Sequence, residues 1–417
     1  MKTICCIDAK SFYASCECVY RGLDPFTTPL VVADESRGKG AIVLAITPYL
    51  KKIGLDSRCR IRDLPKNQNV IIAKPRMKKY LETSMDIVNI YLDYISAEDI
   101  FIYSVDEAFI DLTSYLALYH TTPYKIVKAL QNKVYEKTGI SVSIGVGENM
   151  IMAKFAMDIE AKKNRDSIAI WNKEDVENKL WEINDLQKLW GIGRGLKKRL
   201  NDIGIRTVRQ LAHTDIAVLE KYLGKVGKKV YDLANGEDDT IISKDISYKL
   251  PKSIGNSQML HKDIDSSNAS LLFREMIEVI TLKLRVNNYI ARSIHVMVRY
   301  SFDEGIKTFS KSLTLDYPTD DSKVFIELVC DLVERKLDPG LIRQVGISVG
   351  HIERKECIQL DLFNDYDKNS KKEESILEIK KRFGKNSISF ATSKLSESTA
   401  EYRNKLVGGH NGEYNEQ

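Results

Sequence analysis

Short apolar runs that end on acids mark the first part of the chain. "TICCID" (3–8) predicts a buried strand with Asp8 at its end. "TTPLVVA" and "GAIVLAI" predict two more strands, and "PYLKKIG" a short helix closed by Gly54. Pro75 opens a helical pattern through Tyr80, Leu81, Ile87, Val88, Tyr91 and Leu92. "FIYSVDEAFIDL" (101–112) reads as two strands joined by a tight turn at "SVDE". An amphipathic helix over Tyr124 to Lys137, the strand "GISVSIGVG" and the helix "NMIMAKFAMDIEAKK" complete an α+β or α/β pattern over roughly the first 170 residues.

The period then changes. Residues from about 171 to 236 read as wholly helical and rich in Lys, Arg and Leu; "NGEDDT" breaks the pattern, and "IISKDISYKLPKS" reads as an extended linker. From Lys252 the order is strand, helix (Ser267 to Val286), two alternating strands, helix (Ser322 to Lys336) and strand "IRQVGISVGHI". That is β-α-β-β-α-β, the split βαβ unit. The tail from about 354 is polar with one short helical patch, whose Ile376, Ile379 and Phe383 fall on one face.

Composition narrows the class. The 417 residues are 43% hydrophobic and 29% charged, which suits a soluble protein of several domains. No run is long and apolar enough to span a bilayer, and the start "MKTICCIDAK" does not read as a signal peptide, so a cytoplasmic location is expected. The seven cysteines form no CxxC pair, which argues against a zinc site or a disulfide framework. With 63 Lys+Arg against 58 Asp+Glu, a net charge of +5 does not by itself single out nucleic acid.

The acids supply candidate chemistry. Adjacent strands of one sheet would bring Asp8 to Asp106 and Glu107. Three clustered carboxylates repel unless a cation neutralises them. Mg²⁺ takes one or two carboxylates and fills its other positions with water and substrate phosphate. Two such ions about 3.5–4 Å apart can clamp both oxygens of a phosphoryl transfer. The same "DE" at a hairpin tip also reads as an ordinary solvated turn.

Together, "CIDAKSFYASCE" and "YSVDEAFIDL" resemble the Y-family, lesion-bypass DNA polymerases, in particular the UV-damage-repair branch of Gram-positive bacteria, their plasmids and phages. The likeness runs from Asp8 to the tail with the motifs in the family's order. It implies an α+β multidomain right hand: palm at 1–20 and 71–170, small fingers at 21–70, a helical thumb at 171–236, a linker at 237–251, a little finger of β-α-β-β-α-β type at 252–353, and a C-terminal tail at 354–417.

The resemblance also implies roles. Asp8, Asp106 and Glu107, with the backbone carbonyl of Ala9, would hold two Mg²⁺ ions, with Mn²⁺ as a substitute. Tyr13 would lie under the sugar of the incoming dNTP and exclude a 2′-hydroxyl, while Phe12 presents its amide to the triphosphate; read from composition alone, both are ordinary core aromatics. Lys162 is the expected triphosphate ligand. Lys163 stays open, because one extra residue precedes the pair, and both also suit a helix C-terminus. In the fingers, many relatives carry Tyr and, three residues on, Arg; here Pro48 and Lys51 align, with Tyr49 next door. Lys51 can serve as a point charge but not as a bidentate fork. "SRGKG" (36–40) reads as a turn.

"LWGIGRGLKKRLNDIGIRTVRQLA" (189–212) has the helix-hairpin-helix pattern, with a plain helical hairpin as the alternative reading. Gly191 and Gly193 let backbone approach a phosphate, and Lys197 and Lys198 add charge, so the contact would be sequence-independent. Arg292 and Arg299, with Lys307 and Lys311 nearby, are expected to track phosphates across the little-finger sheet; each reads equally as a solvated surface charge. "QLDLF" looks like the peptide that docks on the bacterial sliding clamp, with Gln359, Leu360, Leu362 and Phe363 as anchors; packing back on their own domain is the alternative reading. The expected activity is low-fidelity translesion synthesis on primer-template DNA within the SOS response, by a monomer with no membrane partner. A nuclease using the same acids would leave Tyr13 and the lysines without a purpose.

Overall fold

The computed structural model describes residues 2–242, 250–356 and 366–412. The chain divides into two compact units, residues 1–248 and 249–413.

The first unit is built on a five-stranded sheet. Its strands are β1 (Ile4–Ala9), β5 (Ile100–Ile102), β6 (Glu107–Asp111), β7 (Val142–Gly147) and β8 (Ile168–Ile170), in the order β5-β6-β1-β7-β8. β1 lies between β6 and β7, antiparallel to both. Strand alternation sends Ile4, Cys6 and Asp8 to one face, where Ile4 and Cys6 join Phe109, Ala153 and Met157 in a buried cluster.

Helix α1 (Phe12–Tyr20) follows β1 directly, and α2 (Pro48–Lys52), α3 (Met77–Leu92), α4 (Thr113–Leu118), α5 (Pro123–Thr138) and α6 (Met150–Phe155) follow in turn. A second, three-stranded sheet joins β2 (Leu30–Val32), β3 (Ala45–Ile46) and β4 (Ile71–Ala73); β4 runs parallel to β2 at the start of the expected palm segment. Tyr49 packs into the apolar cluster of this small sheet beside Val31, Ile46 and Leu50.

α6 does not end in α-helical register. Ala156–Ala161 form a π-helical turn, and the Lys162 amide reaches back five residues to the Met157 carbonyl at 3.0 Å. Such a turn absorbs a one-residue insertion in a helix. Two glycines bring this helix down onto β7. A Cβ on Gly145 would meet the Ala153 oxygen and the Met157 nitrogen at 2.2 Å, and one on Gly147 would meet Met152 Cβ at 2.5 Å.

The helical segment after β8 shares a core with α6 and its extension. Phe155, Ala161 and Trp171 pack with Leu200, Leu211, Leu219 and Leu223. Helices Arg194–Asp202, Val208–Ala212, Ile216–Leu223 and Lys225–Ala234 make up its regular part.

The second unit has four long antiparallel strands: β9 (Ser253–Asp265), β10 (Tyr289–Tyr300), β11 (Phe309–Thr319) and β12 (Leu341–Arg354), in the order β11-β10-β12-β9. β12 lies between β9 and β10, and β10 between β11 and β12, so two split βαβ units interleave. Helices Ala269–Val286 and Ser322–Lys336 cover one face through Phe273, Met276, Ile280, Phe325 and Val329.

The tail differs from the expected short patch. Tyr366–Phe383 is an 18-residue helix, followed by Ala400–Asn404 and a hairpin of β13 (Leu406–Val407) and β14 (His410–Asn411). Ile379 and Phe383 are exposed, so they are not the docking face. The contacts are largely polar, with one edge-on ring contact between His261 and Tyr402. Arg285 bonds Glu373 at 2.7 Å, and buried Glu275 receives the Thr399 amide at 3.2 Å and the Ser398 and Thr399 hydroxyls. Apolar periodicity carries no signal for such an interface.

Candidate active site

Asp8 and Glu107 are direct partners across β1 and β6, and the Ala9 amide donates to the Asp106 carbonyl at 2.9 Å. The β5–β6 turn is tied down by its own groups. The Tyr103 and Ser104 amides both donate to the Glu107 carbonyl at 3.0 Å, and Ser104 Oγ donates to Asp106 Oδ1 at 2.5 Å.

A cleft of about 280 Å³ opens beside these acids. Asp8, Ala9, Phe12, Tyr13, Lys51, Asp106 and Lys162 all line it, joined by Ser11, Ser57 and the Leu44–Ile46 strand edge. Thus seven residues singled out in the sequence, drawn from four separate segments, share one cavity. Lys163 is exposed and does not line it.

Charge in the cleft is interlocked. Lys162 Nζ lies 3.4 Å from Asp8 Oδ1 and 2.8 Å from Asp158 Oδ1. Desolvation opposes its charge, but Asp8 and Asp158 outweigh it and hold the ammonium above the usual lysine range. Burial pushes Asp8 up to about 6; Lys162 pulls it down and Asp106 pushes it up.

Glu107 points elsewhere. Lys154 Nζ bonds both of its oxygens, at 2.8 and 2.9 Å, and Cys6 Sγ donates to Oε1 at 3.2 Å. Lys154 also reaches Asp158 Oδ2 at 3.3 Å. The lysine is buried and desolvation opposes its charge, but the bond to Glu107 together with the neighbouring Cys6, Asp158 and Glu107 raises its pKa on balance. Lys154, Asp158 and Lys162 therefore form one stripe that alternates in sign and answers Glu107 and Asp8 in turn. An eight-residue step in an unbroken α-helix would rotate Lys162 about 80° off this stripe. The π-helical turn restores it. Lys154 was missed in the sequence; the signal was the Lys-x₃-Asp-x₃-Lys spacing, four residues per step.

The donors suit a hard divalent cation. Asp8 and Asp106 bring carboxylate oxygens to the same cleft, and Ala9 lies between Asp8 and α1. Among the described residues no three His, Cys, Asp or Glu side chains are already set to close on one metal position. Glu107, held by Lys154, is the member that would have to turn. Across the cleft, Ser11 (φ +50°) precedes α1, and its buried hydroxyl has no hydrogen-bond partner among the described residues. It stands at a helix N-terminus, where amides favour an anion.

The remaining predicted residues are spread over both units. Gly191 adopts φ +90°, and Gly193 is the N-cap of helix Arg194–Asp202. Lys198 is exposed, whereas Lys197 is paired with Asp185 at 2.8 Å. The hairpin touches the acid turn: the Tyr103 and Trp190 rings meet edge-on at 5.7 Å. In the second unit, Arg299 lies opposite Gln344 on the sheet face not covered by helices, in register with Met297, His295 and Ser293. Arg292 sits at a register shift and bonds the Leu315 carbonyl at 3.1 Å. Lys311, by contrast, pairs with buried Val296 and so belongs to the opposite face from Arg299. The strand's period of two separates them. The four clamp-peptide residues, Gln359, Leu360, Leu362 and Phe363, lie outside the described residues.

Residues 7–158 match the impB/mucB/samB family, residues 251–362 that family's C-terminal domain, and residues 187–238 the thumb domain of DNA polymerase-iota. A relative named for UV-damage repair, UvrX of Bacillus subtilis (strain 168), is 32% identical over 412 residues, covering 98% of this chain and 97% of that one. DNA polymerase IV 2 of the same organism is 28% identical over 414 residues, covering 98% of each. A solved Y-family DNA polymerase chimera of Dbh and Dpo4 shares the fold at a TM-score of 0.67 and 23% identity, over 84% of this chain and 99% of that one. With a UvrX-like sequence along nearly its whole length and Asp8, Asp106, Lys51, Lys162 and Tyr13 gathered in one cleft, the chain belongs to the impB/mucB/samB family and is a Y-family DNA polymerase.

Proposed function

We propose that this polymerase carries out translesion synthesis of low fidelity, adding dNTPs to a primer 3′-hydroxyl at a divalent-metal centre. The observation that carries the reading is the convergence of Asp8 and Asp106 with Lys51, Lys162 and Tyr13 on one cleft. Residues 1–20 and 71–170 serve as palm, 21–70 as fingers, 171–236 as thumb and 252–353 as little finger.

Asp8, Asp106 and the Ala9 carbonyl would hold the metal, with Glu107 joining once released from Lys154. Bound there, a divalent ion such as Mg²⁺ lowers the pKa of the attacking hydroxyl and offsets triphosphate charge. The chain's own groups do the rest. Lys51, Lys162 and the N-terminal amides of α1 take the triphosphate, and Lys162 exchanges its Asp8 partner for phosphate. Tyr13 forms the floor beneath the sugar. The primer oxygen attacks the α-phosphorus and pyrophosphate leaves. Gly191 and Gly193 hold DNA by its backbone, a contact that positions without reading sequence. The small fingers, with one five-residue helix, offer little induced-fit closure, so mismatched or damaged pairs are checked weakly.

The tail peptide Gln359 to Phe363 is proposed to recruit the sliding clamp. No helix among the described residues is long and apolar enough to cross a membrane, and we take the enzyme to work as a cytoplasmic monomer within damage tolerance. Primer extension with Mg²⁺ on undamaged and damaged templates tests the reading. Extension past the lesion is expected; primer shortening, or a stop at every lesion, contradicts it.

A further inference from the structure

The ring of Tyr13 is backed by a second aromatic. Tyr80 on α3 stacks on it with centroids 4.7 Å apart and planes inclined by 20°. Tyr80 is fully buried, and its hydroxyl donates to Glu17 Oε1 at 2.6 Å. Glu17 lies four residues after Tyr13 on α1, so both fall on one helix face. Tyr80 is thus gripped at two points by the same face: ring against Tyr13, hydroxyl on Glu17.

Glu17 is itself fixed. It is fully buried, an environment a carboxylate tolerates only when paired. Arg76 Nε donates to Oε1 at 2.9 Å, and further bonds to Oε2 come from Arg76 Nη2 and Arg21 Nη1. Arg76 is the residue just before α3 and also lies over the Tyr20 ring at 5.3 Å. The carboxylate therefore ties the start of α3 to the middle of α1, with Tyr80 spanning the gap between them. None of Glu17, Arg76 or Tyr80 lines the cleft.

We infer that Glu17 and Tyr80 are positioning residues for sugar selection, holding the Tyr13 ring at the height that excludes a 2′-hydroxyl. The inference rests on the proposed gate role of Tyr13. A gate works by sterics only if it cannot retreat. Without the hydroxyl tether Tyr80 can slide away from Glu17, and Tyr13 can sink into the space, opening room for ribose. The charged cluster behind it makes that support stiff, because leaving Glu17 or Arg76 without its partner in the interior is costly.

The test is the ratio of kcat/KM for a dNTP to that for the matching rNTP, in wild type, Tyr80→Phe, Tyr80→Leu and Tyr13→Ala. Tyr80→Phe keeps the ring and the fold and removes only the tether. It should lower discrimination several-fold, mainly through a lower rNTP KM, with dNTP kcat changed by less than about twofold. Tyr80→Leu, which removes the stack, should lower discrimination further, by about tenfold or more. If Tyr13→Ala erases discrimination while both Tyr80 variants keep the wild-type ratio, the support role is wrong and the gate stands. If Tyr13→Ala leaves the ratio unchanged, the gate reading fails and this inference with it.

Discussion

Asp8 and Glu107 face each other across β1 and β6, yet each carboxylate is answered by a different lysine, Lys162 for one and Lys154 for the other. Both lysines ride on one helix, and a single π-helical turn between them sets their spacing. The two neighbouring acids are thereby answered by separate cations, and neither lysine has to serve both.

Lys154 and Glu107 are both buried, at 7% and 8% side-chain exposure, so removing one partner strands a charge. Lys154→Met should cost about 3–5 kcal/mol of unfolding free energy in urea titration. Adding Glu107→Gln should recover much of that loss. A loss below about 1 kcal/mol for the single variant would show that Glu107 is adequately solvated without the lysine.

Gly145 is the second lever on the same helix. A methyl group there collides with the Ala153 oxygen and the Met157 nitrogen, both backbone atoms. Gly145→Ala should lift the helix from β7, cost about 1–3 kcal/mol or more, and lower nucleotide affinity by withdrawing Lys162. Thermal denaturation and the dNTP KM check this; unchanged values for both would mean that the helix yields without moving its lysines.

The sequence made the site legible where chemistry sits in short motifs. Asp8, Tyr13, Asp106 and Lys162 were all found in runs of residues whose types announce them, and alternating strands placed the little-finger sheet. Three features stayed hidden for physical reasons. The π-helical turn appeared only as a surplus residue before Lys162, since helix type depends on tertiary packing. The pairing of Lys154 with Glu107 joins residues far apart in the chain. The docking of the tail is polar, through Glu275, Arg285 and Glu373, and a hydrophobic pattern cannot report it. On a strand, charge alone does not report the face: Lys311 pairs with Val296 and so lies on the face opposite Arg299.

The tail interface predicts a pH dependence. Burial beside Glu275 and Glu373 pushes Glu278 up to about 7, with Lys380 pulling the other way. The folded protein therefore binds this proton more tightly than the unfolded chain does. Stability from this group is complete below the ordinary carboxylate pKa and is lost as pH rises through about 7. Between pH 5 and 8, wild type should lose about 2 kcal/mol relative to Glu278→Gln, which cannot titrate. Parallel denaturation curves at each pH decide it; a constant difference between the two proteins contradicts the assignment.

Deleting Gln359 to Phe363 should leave basal primer extension intact and abolish its stimulation by the sliding clamp. Extension assays with and without purified clamp read this directly. Stimulation that survives the deletion would place clamp contact elsewhere on the chain.

The most direct test of the account is the single-turnover rate of dNTP incorporation with Mg²⁺ in Asp106→Asn, which keeps the shape of the side chain and removes its charge. The predicted result is a fall of about a hundredfold or more with primer-template affinity unchanged. Incorporation near the wild-type rate would contradict the assignment of Asp8 and Asp106 as the shared metal site of this polymerase.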